Sequence, residues 1–96
     1  MKKPHTLTQL NINLKKFRLA KGISQQKLSD HLGFKRSTYG QWETANIQPS
    51  IGQIIQIAEF FDTDVVVLYS KNIEVIHYGE SFGESYIKLK TENNAE

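Results

Sequence analysis

The chain has 96 residues, of which 39% are hydrophobic and 23% are charged, a composition that fits one small globular domain with a tail and excludes a two-domain enzyme. No apolar run approaches the roughly 20 residues of a membrane-spanning helix, and no secretory leader is recognisable, so we expect a cytoplasmic protein. Because the chain has no cysteine, disulfide bonds, thiol nucleophiles and zinc–thiolate sites are excluded, and the hydrophobic core must stabilise the fold.

The charges are unevenly distributed along the chain, although the net charge is only +2. Residues 1–71 carry ten Lys and Arg against five acidic residues, whereas residues 72–96 carry two Lys against five Glu. A basic body with an acidic tail suggests that the body binds a polyanion. A chance asymmetry among solvated charges would give the same counts, so charge alone does not identify the function.

Two helices with clear ends are predicted first. The first begins after Thr8, which can cap it, and ends before Gly22, so it covers about residues 9–21. Its apolar stripe consists of Leu10, Leu14 and Phe17. Ser24 can cap the second helix, and Gly33 stands where that helix ends. The second helix carries two leucines inward, Leu28 and Leu32.

A third helix is predicted over residues 36–44, with Tyr39 and Trp42 three positions apart on its buried side. Its start is weakly marked, because Lys35 stands where Ser or Thr would be the usual cap. Gly40 lies inside the helix, at a cost of about 0.5 to 1 kcal/mol relative to Ala.

A fourth helix is predicted to begin after Ser50 and to lie centrally in the core. Its apolar set covers a wide face and consists of Ile51, Ile54, Ile55, Ile57, Ala58 and Phe61. Residues 64–69 are ambiguous, because the three valines favour a strand whereas Asp64 offers a cap for a short fifth helix.

The pattern changes beyond residue 71. Residues 73–78 and 85–90 are strand-like runs that flank a glycine-containing turn at 79–83, which predicts a β-hairpin. A two-stranded hairpin is marginal in water, so it needs a partner surface, either the helical body or a second copy of itself. Residues 91–96 are polar, and we expect a frayed tail.

The second and third helices are predicted to meet across a turn of a few residues. Ser29 is small enough to let the helices approach, and Gly33 makes the turn. The aromatic residues Phe34, Tyr39 and Trp42 set the angle of the third helix. Its opposite face then points to solvent and suits a major groove; that face consists of Arg36, Ser37, Gly40, Gln41 and Thr44.

Residues 14–68 resemble the Cro/C1-type (XRE-like) helix-turn-helix domain of phage repressors and bacterial regulators. The residues that carry the resemblance are Leu14, Phe17, Arg18, Gly22-Ile23-Ser24-Gln25, Leu28, Leu32-Gly33, Ser37-Thr38-Tyr39, Trp42-Glu43 and Pro49-Ser50. The resemblance implies a mainly α fold, a five-helix lambda-repressor-like domain, to which the predicted hairpin is appended. We divide the chain into an arm at 1–7, this domain at 8–70, the hairpin at 71–90 and the tail at 91–96. The hairpin is a candidate dimerisation element, because its extended edge could pair with a second copy across a two-fold axis.

The resemblance also implies roles for particular residues. Arg18 and Glu43 would form a buried structural ion pair. The resemblance assigns base recognition to Arg36, Ser37 and Gln41. It assigns contact with DNA phosphates to Ser24, Gln25, Lys27, Lys35, Thr44, Asn46 and Gln48. The chemistry agrees, since arginine binds guanine and glutamine binds adenine through paired hydrogen bonds.

Four features depart from the family pattern, of which Ser29 in place of the commoner alanine leaves the packing argument unchanged. Lys35 replaces a capping hydroxyl, which weakens the start of the recognition helix and adds a cation near the phosphates. At Gly40 either the backbone approaches the groove closely, or this position makes no contact with a base. The run 65–67 is more apolar than an exposed helix, which hints at cover by the hairpin or another subunit.

The sequence gives little support for metal binding or catalysis. The three histidines His5, His31 and His77 are scattered without metal-ligand spacing, and no nucleophile stands beside Glu43, so we expect no metal, cofactor or enzymatic activity. The Gly-x-Ser-x-Gly pattern at 79–83 belongs to hydrolases only in a much larger α/β fold.

Two functions remain. The first is a sequence-specific, double-stranded DNA-binding regulator, expected to be a repressor and a homodimer on two half-sites. The alternative is a protein-interaction module, such as an antitoxin or adaptor, that captures a partner through the helical body or the hairpin and binds DNA only secondarily.

Overall fold

The computed structural model describes residues 8–44, 47–77 and 85–89. These residues form the five helices that the resemblance implies and the antiparallel pair of strands that the strand-like runs predict. The elements are α1 (Gln9–Lys21), α2 (Gln25–Leu32), α3 (Arg36–Glu43), α4 (Ile51–Phe60), α5 (Val65–Leu68), β1 (Ile73–His77) and β2 (Ser85–Leu89). The predicted arm at 1–7, the turn at 79–83 and the tail at 91–96 lie outside the described residues.

The helix starts follow the predicted capping residues. The hydroxyl of Thr8 accepts a hydrogen bond from the backbone N–H of Asn11, and those of Ser24 and Ser50 accept from N–H groups three residues on. These bonds satisfy donors that the first turn of a helix leaves free. Lys35 precedes α3 without a side-chain cap, as its chemistry predicts.

The core forms where the inward faces of the helices meet. It consists of Leu10, Leu14, Phe17, Leu28, Tyr39, Trp42, Ile54, Ile57, Ala58, Leu68 and Ile73. On α4 the predicted apolar face is too wide, because Ile51 and Ile55 are 66% and 44% exposed. The neighbouring elements cover only the stripe of Ile54, Ile57 and Ala58, so helical periodicity overestimated the buried part of α4.

The ambiguous segment 64–69 is a helix. The backbone carbonyl of Asp64 accepts from the N–H groups of Val67 and Leu68, and Leu68 is buried in the core. Anchoring by Leu68 outweighs the strand preference of the valines. Val66 is 73% exposed, so within a single chain the hairpin does not cover it.

The hairpin packs on the helical body. β1 pairs with β2 in an antiparallel register that runs from Ile73 opposite Leu89 to His77 opposite Ser85. β2 lies against α1, while Ile73 is buried in the core and Ile87 packs against it. The body therefore supplies the partner surface that an isolated hairpin lacks.

Two buried asparagines tie α1 to the ends of other helices, a role that the sequence did not reveal. The amide of Asn11 donates to the carbonyl of Trp42 at the end of α3. The amide of Asn13 donates to the carbonyls of Leu68 and Ser70, at 2.8 Å each. Trp42 and Leu68 lie in the last turns of α3 and α5, where carbonyls have no partner within the helix, so the two amides satisfy them.

Candidate nucleic-acid interface

α2 and α3 form the predicted helix-turn-helix, with α3 packed across α2 and α1. Ser29 lies on α2 and is fully buried where α2 meets its neighbours. Its hydroxyl donates to the carbonyl of Gln25 at 2.5 Å. Gly33 adopts φ 85° at the turn, a left-handed conformation that other residues adopt only at a cost. The direction of α3 is thereby set relative to the body.

Aromatic contacts fix α3 from its buried side. The indole of Trp42 meets the ring of Phe34 edge-on at 5.2 Å between centroids and the ring of Tyr39 at 5.8 Å. Both Trp42 and Tyr39 are essentially fully buried. Edge-to-face pairs of this kind favour one relative orientation, so they hold α3 at a defined angle.

A buried ion pair joins α1 to the end of α3. Nε of Arg18 lies 2.7 Å from Oε2 of Glu43, and Nη2 lies 3.2 Å from Oε1, a two-pronged arrangement. The third nitrogen, Nη1, donates to the carbonyl of Ile23 at 2.9 Å, at the start of the turn into α2. One guanidinium thus connects α1, the segment before α2, and α3.

Glu43 accepts two more hydrogen bonds. The hydroxyl of Tyr39 donates to Oε2 at 2.6 Å, and Nε2 of Gln25 donates to Oε1 at 2.9 Å. Burial acts to raise the pKa of Glu43, but the hydrogen bonds from Arg18, Tyr39 and Gln25 outweigh it and hold that pKa below its ordinary value. Burial raises the pKa of Tyr39, which remains a neutral donor at pH 7. Glu43 is therefore an ionised acceptor for three side chains.

The predicted base-reading residues lie on the outer side of α3. Arg36 and Ser37 are exposed, and Gln41 is half-buried. Nη1 of Arg36 donates to Oε1 of Gln25 at 3.0 Å. Gly40 faces the same two side chains, since a Cβ built there would lie 3.4 Å from Oε1 of Gln25.

Some of the residues predicted to contact phosphates are free on the surface, and others are hydrogen-bonded within the protein. Lys27, Lys35 and Thr44 are exposed near the ends of α2 and α3. Gln48 is exposed, and its amide lies 3.4 Å from Oδ1 of Asn11. Asn46 lies outside the described residues. Ser24 and Gln25 are engaged within the protein, Ser24 by capping α2 and Gln25 by bridging Arg36 and Glu43.

The two glycines of the motif are expected to respond oppositely to alanine. Gly40 lies inside α3 with an ordinary helical backbone and room for a methyl group, so Gly40→Ala should raise the free energy of unfolding by about 0.5 to 1 kcal/mol. Gly33→Ala meets no atom within 4 Å but must adopt positive φ, and should lower that free energy by roughly 1 to 2 kcal/mol. Urea unfolding checks both; equal changes in one direction would contradict this assignment.

Comparison with known proteins agrees with this geometry. The chain is 38% identical over 45 residues to the SPbeta prophage-derived HTH-type transcriptional regulator YonR of Bacillus subtilis, a match that covers 47% of this chain and 42% of that protein. The chain thus spans less than half the length of this relative. Within the described residues, no helix is long and apolar enough to cross a membrane.

Solved structures show the same architecture. The restriction-modification controller protein C.AhdI of Aeromonas hydrophila is 29% identical, with a TM-score of 0.61 over 65% of this chain and 94% of that chain. The SOS-response transcriptional repressor LexA of Eubacterium rectale is 16% identical, with a TM-score of 0.62 over 91% of this chain and 90% of that chain, a likeness of fold.

The family model described as helix-turn-helix matches residues 14–68, more than half of the chain and the same residues that carry the resemblance in the sequence. It spans α2, the turn at Gly33 and α3, together with the ion pair that holds them. The chain belongs to the Cro/C1-type helix-turn-helix family.

Proposed function

We propose that this protein is a transcriptional regulator, and specifically a repressor, that binds double-stranded DNA in a sequence-specific manner with α3 in the major groove. The observation that carries the proposal is the contrast between the two sides of α3. Its inner side is held by Trp42, Tyr39 and the buried pair of Glu43 with Arg18, whereas its outer side presents Arg36 and Ser37 to solvent. A rigid helix with exposed polar side chains is what direct reading of base edges requires.

The side chains on the outer side of α3 supply suitable hydrogen-bonding groups. Arg36 carries five N–H donors, of which the bond to Gln25 uses one, so the guanidinium keeps donors for the acceptors of a guanine. Gln41 has both a donor and an acceptor, which match adenine. Each such pairing contributes about 1 to 3 kcal/mol of discrimination against a wrong base.

The flanks of this face supply candidate phosphate contacts. Lys27 on α2 and Lys35 before α3 are exposed cations, and Thr44 at the end of α3 adds a hydroxyl. Such contacts orient a protein on the duplex and make its affinity depend on salt. The relatives support a regulatory role for such binding, since one is named a transcriptional regulator and another a restriction-modification controller. A protein with this role would act in the cytoplasm, where the DNA lies.

Selection of bound fragments from a random DNA library tests the proposal. The wild-type protein should enrich one sequence, and Arg36→Ala/Gln41→Ala should lose that enrichment, because the groups that read base edges are gone. The matched control is Lys71→Ala/Gln56→Ala, which removes one charge and one amide from exposed positions outside α3. This control should enrich the same sequence as the wild type.

Binding to the enriched site is then measured at two salt concentrations. Affinity should fall steeply as salt rises, because phosphate contacts release counterions. Equal and weak binding of all fragments by the wild type and the double variant would contradict base reading by α3. That outcome would favour the alternative function, a module that binds a protein partner.

We further propose that the protein acts as a homodimer. Exposed apolar residues lie on α4, on α5 and directly after α5, and α4 packs against α5: they are Ile51, Ile55, Val66 and Tyr69. Val66 and Tyr69 are 73% and 47% exposed, and exposed apolar side chains that lie close together are typical of a surface that binds another protein. A second copy would cover these side chains, and two-fold symmetry would place two α3 helices on successive half-sites.

Light scattering at tens of micromolar tests the oligomeric state. The wild type should have the mass of two chains, and Val66→Glu should have the mass of one, because a buried unpaired carboxylate opposes association. Leu19→Glu, which changes an exposed apolar residue on α1, should remain a dimer. A wild type with the mass of one chain at this concentration would refute the homodimer.

A further inference from the structure

The short helix α5 depends on a buried asparagine of α1. α5 has only four residues, Val65–Leu68, and Asp64 before it makes no side-chain capping bond. A helix of this length is unstable by itself, because its single turn orders several residues for very few hydrogen bonds. Its end is held by Asn13, whose amide donates to the carbonyls of Leu68 and Ser70 at 2.8 Å each. α5 is therefore anchored from α1.

The amide of Asn13 has a single orientation that satisfies its neighbours. Carbonyl oxygens accept hydrogen bonds and cannot donate them, so the two carbonyls require the NH₂ end of the amide. The oxygen end is engaged as well, since Oδ1 of Asn13 accepts from Nε2 of Gln9 at 3.1 Å. Asn13 is fully buried, and hydrogen bonds in the interior are stronger than the same bonds in water. The amide is thus a fixed anchor.

These bonds enclose Tyr69, a residue of the proposed dimer surface. The carbonyls of the residues before and after Tyr69 are the two that Asn13 holds. The N–H groups of Tyr69 and of the next residue donate to carbonyls of α5 at 3.1 Å each. The backbone on both sides of Tyr69 is thereby fixed, while its side chain stays 47% exposed. Tyr69 is therefore presented to a partner from an ordered backbone.

α1 joins this end of α5 to the end of α3. Asn11 donates to the carbonyl of Trp42, and Arg18 forms the ion pair with Glu43. Positions 11 and 13 point to different sides of α1, because successive residues of a helix are turned by about 100°. One helix thus holds the end of α3 on one side and the end of α5 on another. α1 is a spacer between the proposed dimer surface and the helix proposed to read bases.

We propose that Asn13 is a positioning residue for dimerisation: it holds the end of α5 where Tyr69 meets a second copy and, through α1, sets the separation of the two α3 helices. This inference rests on the proposed homodimer and goes beyond it, because it assigns the preferred half-site spacing to a fully buried residue. An interface whose side chains are ordered beforehand loses less conformational entropy on association. A dimer with one fixed separation of its α3 helices prefers half-sites of one spacing.

Asn13→Leu tests the inference, because leucine has a similar shape and cannot donate to the two carbonyls. The dissociation constant of the dimer, measured by analytical ultracentrifugation without DNA, should rise roughly 5-fold or more, the effect of losing one ordering hydrogen bond. The matched control is Asn11→Leu, the same substitution at the other fully buried asparagine of α1. This control loses a bond to α3 and none to α5, so it should keep the wild-type dissociation constant.

Half-site spacing supplies a readout that a general loss of stability does not move. The wild type should bind the enriched site less tightly when one base pair is inserted between the half-sites or removed, and Asn13→Leu should lose most of this preference. The two proteins are compared at concentrations where light scattering gives the mass of two chains. The base sequence enriched within each half-site should stay unchanged, because the packing of α3 is intact.

A double variant shows whether Asn13 acts through Tyr69. Asn13→Leu/Tyr69→Ala should dimerise no more weakly than Tyr69→Ala alone, since the side chain that Asn13 positions is already gone. A role of Asn13 that is independent of Tyr69 would add its loss to both backgrounds. Asn13→Ala removes the same amide with a residue that favours helix, and the same rise in the dissociation constant is required of it should the leucine variant not fold.

The possible failures are distinguishable. Equal dissociation constants for Asn13→Leu and Asn11→Leu, or an unchanged spacing preference, would overturn the inference while the homodimer stands. A wild type with the mass of one chain at tens of micromolar would refute the homodimer, and the inference with it. A wild-type dimer that enriches no sequence would refute base reading by α3, and the dissociation constant would still decide the role of Asn13 in dimerisation.

Discussion

Arg18→Met is expected to lower the free energy of unfolding by about 3 to 5 kcal/mol, because it leaves the carboxylate of Glu43 buried without its counter-charge. The substitution also removes the hydrogen bond to the carbonyl of Ile23, so the start of α2 loses a support. Methionine fills much of the same volume, and the loss therefore reports the charge and its hydrogen bonds more than a cavity.

Urea unfolding followed by circular dichroism measures the change. Arg36→Met is the matched control, since it makes the same chemical change at an exposed position and should alter the free energy by no more than about 0.5 kcal/mol. A loss in Arg18→Met as small as in the control would contradict a buried pair. The full loss would be a large fraction of the free energy of unfolding, since small domains have only about 5 to 15 kcal/mol in total.

Trp42→Ala is expected to have a similarly large effect, about 3 to 5 kcal/mol, because it removes the largest fully buried side chain of the core. The indole packs against Phe34 and Tyr39, so its loss also removes the contacts that orient α3. DNA affinity should fall along with stability, since the outer face of α3 is placed by this inner packing.

The chain has a single tryptophan, so the variant loses intrinsic tryptophan fluorescence, and circular dichroism is the suitable probe. Leu19→Ala is the control for removal of an exposed apolar side chain, because Leu19 is 51% exposed and lies outside the proposed dimer surface, so the substitution should lower the free energy of unfolding by no more than about 0.5 kcal/mol. The loss in the free energy of unfolding for Trp42→Phe should lie between those two values, since phenylalanine keeps one ring in the site. A loss below about 1 kcal/mol for Trp42→Ala would mean that the core closes around the vacancy.

The helix boundaries were predictable because they depend on local chemistry. Thr8, Ser24 and Ser50 satisfy free N–H groups within three residues of themselves, and Gly22 and Gly33 adopt the left-handed conformation that ends a helix. No distant contact is needed for any of these effects. The bounds of α1 agree with the prediction residue for residue, and α3 ends one residue earlier than predicted.

Which apolar residues are buried was not predictable in this way, because it depends on what packs against each face of a helix. Helical periodicity marks an apolar face on α4, but it does not say how much of that face another element covers. The same holds for residues 64–69, where the sequence left helix and strand open. The burial of Leu68 beneath α1 and α4 decided for the helix, and this contact joins residues far apart in the chain.

The sequence by itself determined the first four helices in order, the helix starts and ends that capping residues mark, the helix-turn-helix motif and the outward position of Arg36 and Ser37, because spacing and capping act over a few residues. Only the tertiary structure decided that Gln25 bridges Glu43 and Arg36, that Asn11 and Asn13 bind helix-end carbonyls, and that the hairpin lies on α1. Each of these contacts joins groups distant in sequence. Whether a polar side chain faces solvent, a phosphate or a buried partner is set by the packing of whole elements, which no local pattern encodes.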